Sequence, residues 1–244
     1  MRIIFIYSVI ILFCFSAIAQ KDSKLNSLLK KATAISNKTT SGNSLSSEDV
    51  VAGLKQALSQ GAQKSTDRLS ITDGFFKDVV IKILMPPEVS KVESKMRMLG
   101  MGKVFDNAII SMNRAAEDAS KSAAPIFLNA IKRMTVQDAL SILKGSDTAA
   151  TSFLRKSTSG DLITAFLPIV EASLKKVDAT RYWKDVFTTY NRFTANPVNT
   201  DINSYVTQRA LNGIFYYVAQ EERNIRVNPA ARATDLLKKV FGAN

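Results

Sequence analysis

Apolar residues recur at intervals of three and four along most of this chain, which is the spacing that places them on one face of an α-helix. The first such stripe comprises Val50, Val51, Leu54, Ala57, Leu58 and Ala62. Similar stripes follow in residues 105–119, 162–177 and 205–225. We therefore predict an all-α fold, a single multi-helix, bundle-like domain of eight to ten helices.

Local signals mark the ends of several of these helices. Pro87 and Gly100 bracket one of them, as expected for a proline at a helix start and a glycine just past its end. Thr135 and Asp138 have the spacing of a capping box. Ser146 and Asp147 precede another stripe and are predicted to cap it.

One short segment near 79–85 is β-like, with the sequence VVIKILM. A lone strand has no partner with which to form a sheet. We therefore expect an extended segment lying on the helices, or at most a small hairpin.

The first 19 residues have the pattern of a secretory signal peptide. Arg2 supplies the positive start, residues 3–15 are uncharged and mostly apolar, and Ala17 and Ala19 are small residues at the two positions that signal peptidase reads. The apolar run is shorter than the ~20 residues that a membrane-spanning helix needs. We expect cleavage after Ala19, a periplasmic or secreted protein, and no transmembrane segment after cleavage.

The predicted organisation after the signal peptide has two parts. Residues 20–45 form a basic flexible lead or weak helix, because the lead carries five lysines against Asp22 and ends in the polar, turn-rich stretch TTSGNS. A solvated linker is the simpler interpretation of this lead, and a polybasic anchor is the alternative. Residues 46–244 form the helical domain.

Composition removes much of the catalytic repertoire. The sequence has no histidine, and its one cysteine, Cys14, lies in the predicted signal peptide. Without these residues the processed chain has no Ser-His-Asp or Cys-His relay, no His- or Cys-ligated zinc and no disulfide. We expect no metal and no cofactor. An enzyme of this composition would depend on carboxylates, Lys, Tyr, Ser or Thr, and we favour a protein that binds and does not catalyse.

The polar cluster at 146–158 is the first candidate ligand site. Helix periodicity groups Asp147 with Thr151, and Thr148 with Arg155. The amides of a helix N-terminus, together with these side chains, would bind a phosphate or carboxylate. Alternatively, the helix is simply capped and Arg155 pairs with a neighbouring carboxylate.

A second candidate is a polar network between helices. Glu221 and Glu222 fall at the edge of the stripe in 205–225, and Glu222 is four residues from Arg226. Asn113, Arg114 and Glu117 on a separate helix complete the predicted network. A structural role is the simpler interpretation, and a carboxylate acting as acid or base is the alternative.

The net charge of +12, from 33 basic and 21 acidic residues, falls to +11 when Arg2 is removed with the signal peptide. It favours an anionic partner, although the basic residues are spread along the chain and a solvated surface is the simpler interpretation. For an exported protein the candidates are anionic lipid and envelope polymers, and no nucleic acid is expected. The aromatic residues Tyr182, Trp183, Phe187, Tyr190 and Phe193 indicate core packing, or else a groove for a lipid. The leading hypothesis is thus a binding module for an anionic or amphiphilic partner at the cell envelope. The alternatives are a carboxylate-dependent hydrolase or lyase, and a subunit that packs through an exposed apolar face.

Five sequence blocks resemble a bacterial family called domain of unknown function 4197. They are GLKQAL at 53–58, MNRAAE at 112–117, MTVQDA at 134–139, GSDTAAT at 145–151 and DLLKKVF at 235–241. The resemblance runs in the same order from about Leu45 to the C-terminus. It implies an exported, mostly helical protein of a Gram-negative bacterium, and it implies no activity, ligand or catalytic residue.

Intact-mass measurement tests the predicted signal peptide. When the full chain is expressed in a Gram-negative host, the periplasmic extract should contain a species that begins at Gln20. Such a chain has lost Arg2 and Cys14, so it should also fail to react with a thiol reagent. A periplasmic or membrane species with the mass of the whole chain would contradict the prediction.

Overall fold

A computed structural model describes residues 46–100, 102–176, 183–184, 187–188, 190–192, 194–195, 197, 201–232 and 234–242. The predicted signal peptide at 1–19 and the basic lead at 20–45 lie outside the described residues, as do Tyr182 and Phe193. Residues 47–244 form one compact unit.

Eight α-helices make up most of the described residues. They are α1 (Ser47–Leu69), α2 (Ser90–Met98), α3 (Gly102–Ser120), α4 (Ala123–Arg133), α5 (Val136–Leu143), α6 (Ala149–Lys175), α7 (Ile202–Val227) and α8 (Asp235–Gly242). The described ranges contain no strand, so the predicted all-α fold is confirmed. None of the helices in these ranges has both the length and the hydropathy needed to cross a bilayer.

The β-like segment near 79–85 is an irregular connection lying on the helices. Residues 71–81 are mostly turns and residues 82–86 have no regular structure. Inside it, the backbone N–H of Ile83 donates to Asn113 Oδ1 at 2.9 Å, and Asn113 Nδ2 donates back to the Ile83 carbonyl at 2.8 Å. One buried side-chain amide on α3 thus replaces the neighbouring strand that the apolar pattern lacked.

Short-range signals placed several helix ends correctly. Thr135 caps α5, because its hydroxyl accepts the Asp138 N–H at 3.1 Å while the Asp138 carboxylate accepts the Thr135 N–H at 3.0 Å. Pro87 starts a single 3-10 turn, Pro87–Val89, that leads into α2. Gly100 follows α2 with φ +81°, a left-handed conformation that glycine adopts without strain.

The core is organised around α7, which packs against α1, α3 and α6. Its Phe215 is buried and meets Phe127 of α4 edge to face, with ring centroids 5.6 Å apart. Gly213 allows the closest approach on this helix, since a Cβ there would lie 2.6 Å from Cε1 of the buried Phe75. The turn that carries Phe75 is therefore seated directly on the backbone of α7.

A pair of Gly→Ala substitutions tests this close approach. Gly213→Ala should lower the free energy of unfolding by about 1–3 kcal/mol, because the added methyl overpacks Phe75. Gly160→Ala in α6 has nothing within 4 Å of the new Cβ, and it should raise stability by up to ~1 kcal/mol through helix propensity. Urea unfolding measures both. Equal effects of the two substitutions would show that Phe75 is not packed closely against the backbone of α7 at Gly213.

Candidate functional site

Glu222 on α7 is 6% exposed, and its carboxylate holds the first turn of α6. Oε1 accepts the backbone N–H of Ala150 at 3.0 Å. Oε2 accepts both the backbone N–H and the hydroxyl of Thr151, each at 2.8 Å. A carboxylate in this position satisfies amides that have no partner within the helix and complements the positive end of the helix dipole.

Arg226, one turn further along α7, completes this cluster. Its guanidinium donates to Glu222 Oε1 at 3.0 Å and to the carbonyl of Ile142 near the end of α5 at 2.8 Å. The expected Glu222–Arg226 pair is therefore present. The negative Glu222 lies at the N-terminus of α6 and the positive Arg226 lies at the C-terminus of α5. Each charge is therefore next to the helix end of opposite sign.

The predicted anion site coincides in part with this cluster. Thr151 belongs to it, but Thr148 is the N-cap residue of α6 without a side-chain capping bond, and Asp147 is exposed. The expectation that Ser146 or Asp147 caps the helix is wrong, because the acceptor is Glu222, 71 residues from Thr151. In the structure the anion at these amides is a carboxylate of the chain itself.

Arg155 lies apart from that carboxylate. Its guanidinium donates to Asn212 Oδ1 at 3.1 Å and stands 4.3 Å from the centroid of the Phe215 ring. Burial lowers the pKa of Arg155 below its usual value. The expected pairing with a carboxylate is replaced by an amide and a cation–π contact.

A second buried carboxylate, Glu117 on α3, holds the turn that follows α1. It is 3% exposed, and Oε1 accepts the backbone N–H groups of Phe75 and Phe76 at 3.1 and 3.2 Å. Oε2 accepts from Arg114 at 2.6 Å, and Arg114 also donates to Asp73 at 2.6 Å. Hydrogen bonds from Arg114 and then Lys77 lower the pKa of Asp73.

The same connection is held from α7 by Tyr217. Its hydroxyl donates to the carboxylate of Asp78, which also accepts the backbone N–H groups of Val80 and Ile81. Burial, reinforced by the bond to Asp78, raises the pKa of Tyr217 to about 12. Sequence analysis missed Asp73 and Asp78. The Asp73-Gly74 dipeptide was the available signal, because Asp73 has φ +72° and such pairs favour turns.

The predicted polar network is thus distributed over two clusters. Asn113, Arg114 and Glu117 on α3 hold the connection between α1 and α2, whereas Glu222 on α7 holds the start of α6. Glu221 belongs to neither, since it pairs with Lys64 of α1 at 2.8 Å. Trp183 and Phe187, from the predicted aromatic group, are buried and contact each other in a tilted arrangement, and Trp183 also stacks on Tyr205.

The space beside the Glu222 carboxylate is small. A cavity of about 20 Å³ lies next to Glu222 and Arg226, which is room for roughly one water. A larger, open depression of about 460 Å³ lies between α4 and α6, and Asp161 is the one charged residue that lines it. The arrangement at Glu222 suits holding three helices together more than receiving a substrate.

The neighbouring residues Glu221 and Glu222 provide a matched test of the buried cluster. Glu222→Ala should cost about 3–5 kcal/mol of unfolding free energy, because it leaves Arg226 and the amides of α6 without their acceptor. Glu221→Ala should cost less than about 1 kcal/mol, because Lys64 is solvent-exposed. Both substitutions change the same residue type in one helix, so helix propensity cancels. Similar losses in urea unfolding would contradict the assignment of Glu222 as the anchor of α6.

Comparison with known proteins identifies a family without a characterised activity. No curated protein and no solved structure matches the chain. The family model described as Protein of unknown function (DUF4197) matches residues 44–242. That match covers all eight described helices and the clusters around Glu117 and Glu222, and the chain belongs to this family.

Proposed function

We propose that this protein is a non-catalytic binding module for an anionic or amphiphilic partner at the cell envelope. Export to the periplasm is part of the proposal and rests on the signal-peptide pattern of the first 19 residues. The net charge of +12, which becomes +11 once Arg2 is removed with the signal peptide, supplies the attraction for an anionic partner.

The observation that carries the proposal is the pairing of the carboxylates with groups of the chain itself. Glu117 and Glu222 are buried against arginines and backbone amides. At the surface, Arg97 bridges Glu93 and Asp106, both at 2.7 Å. These four carboxylates pair with arginines. Other carboxylates pair with exposed lysines, which are Lys64, Lys77, Lys121, Lys175 and Lys238. Because basic residues outnumber acidic ones, exposed cations remain for an external anion after these pairs have formed.

A carboxylate-dependent hydrolase or lyase remains the alternative function. It would need two carboxylates converging on a space that admits a substrate. Glu222 adjoins a water-sized cavity, and the depression between α4 and α6 has one carboxylate, Asp161, in its lining. These features support binding over catalysis.

Binding to two anionic probes tests the proposal. The processed chain should co-sediment with vesicles containing phosphatidylglycerol, should be retained by immobilised dextran sulfate, and should be released from both between about 50 and about 500 mM salt as screening grows. Phosphatidylcholine vesicles and uncharged dextran are the controls. A chain that binds neither of the two anionic probes, or whose binding is unaffected by salt, would refute the proposed function.

A further inference from the structure

Large apolar side chains are exposed where α2 ends and α3 begins. Met98 is 78% exposed, Leu99 72% and Val104 61%. Gly100 between them has nothing within 4 Å of the position a Cβ would take. We call Met98, Leu99, Gly100 and Val104 the α2–α3 tip. Exposing apolar side chains to water is unfavourable, and moving them into an apolar phase lowers the free energy of the system.

The charges around the α2–α3 tip match an anionic surface. Lys95 lies one turn before Leu99, Lys103 lies next to Val104, and both are exposed. Neither lysine forms an ion pair within the described part of the chain, where Arg97 already binds the nearby carboxylates of Glu93 and Asp106. Lysines beside an apolar tip keep their ammonium groups at the headgroup level while the apolar side chains go deeper.

Two contacts join α2 to α3 beside this turn. Arg97 of α2 bridges to Asp106 of α3 at 2.7 Å, and its guanidinium lies 6.0 Å from the ring centroid of the buried Phe105. The last turn of α2, which ends at Met98 just before Leu99, is thus in contact with the first turns of α3.

Another exposed apolar pair, Val79 and Val80, differs in its charges. Lys77 beside it pairs with Asp73 at 2.9 Å, Arg68 pairs with Asp78 at 3.5 Å, and Lys82 lies over the Phe76 ring at 4.1 Å. The cations there are engaged within the protein. Apolar exposure and unpaired cations thus coincide at the α2–α3 tip.

We infer that the α2–α3 tip inserts into the interfacial layer of an anionic lipid bilayer, with Lys95 and Lys103 contacting lipid phosphates. This inference rests on the proposed function and specifies its partner as a lipid surface. A soluble anionic polymer would satisfy the lysines but would leave Met98, Leu99 and Val104 in water.

Site-specific tryptophan quenching tests the insertion. Leu99→Trp is compared with Val227→Trp, whose position at the end of α7 is 77% exposed. The native Trp183 is 4% exposed and gives a common background. With vesicles of phosphatidylglycerol and brominated phosphatidylcholine, Leu99→Trp should shift to the blue and be quenched, whereas Val227→Trp should do neither.

Two serine variants provide a second test of the insertion. Met98→Ser with Leu99→Ser should weaken vesicle partitioning by at least about tenfold, and Val227→Ser should leave it unchanged. Both variants remove exposed side chains, so circular dichroism should match the parent chain. Binding of the double variant to dextran sulfate should persist, because that contact depends on charge.

The outcomes separate the two claims. Vesicle binding without quenching at position 99, or with equal quenching at position 227, overturns the insertion while the proposed function stands. Retention by dextran sulfate with no vesicle binding does the same. Loss of binding to both anionic probes in the parent chain overturns the proposed function and the insertion together.

Discussion

A carboxylate that leaves water without partners costs several kcal/mol, so a buried glutamate dictates what must surround it. Glu222 gathers the first amides of α6 and the guanidinium of Arg226, and Arg226 in turn binds the end of α5. Removing that carboxylate would leave the first amides of α6 without an acceptor and would leave Arg226 of α7 with only its contacts to the end of α5. The junction of α5, α6 and α7 therefore depends on one side chain in a way that apolar packing alone does not produce.

Periodicity predicted the helices because it is local information, and the confirmed capping box spans only Thr135 to Asp138. The cap of α6 was predicted wrongly for the same reason. Ser146 and Asp147 had the right chemistry beside the helix start, but Glu222 reaches it from 71 residues away. Partners that lie so far apart in the chain have no fixed interval between them that sequence analysis could recognise.

The direction in which each polar side chain points from its helix was also beyond prediction from the sequence. Glu221 and Glu222 were both at the edge of the apolar stripe, and about 100° of rotation separates neighbouring residues. That rotation sends Glu222 to Arg226 and the α6 amides, and Glu221 to an exposed lysine on α1. For Asn113 the sequence indicated a polar network, but the partner is the backbone of Ile83, in a segment whose apolar pattern resembled a strand.

Helix α3, which carries Asn113, runs from the α2–α3 tip into the core. Its later turns carry Asn113 and Glu117, which hold the connection after α1. Its first turns carry Val104 of the α2–α3 tip, and Asp106, which pairs with Arg97 of α2. Buried hydrogen bonds at 2.9 and 3.1 Å hold the later turns of α3 against the connection after α1. Water does not compete for these bonds, because both lie in the core. One helix therefore joins a buried polar anchor to the exposed apolar residues for which we propose a lipid interface.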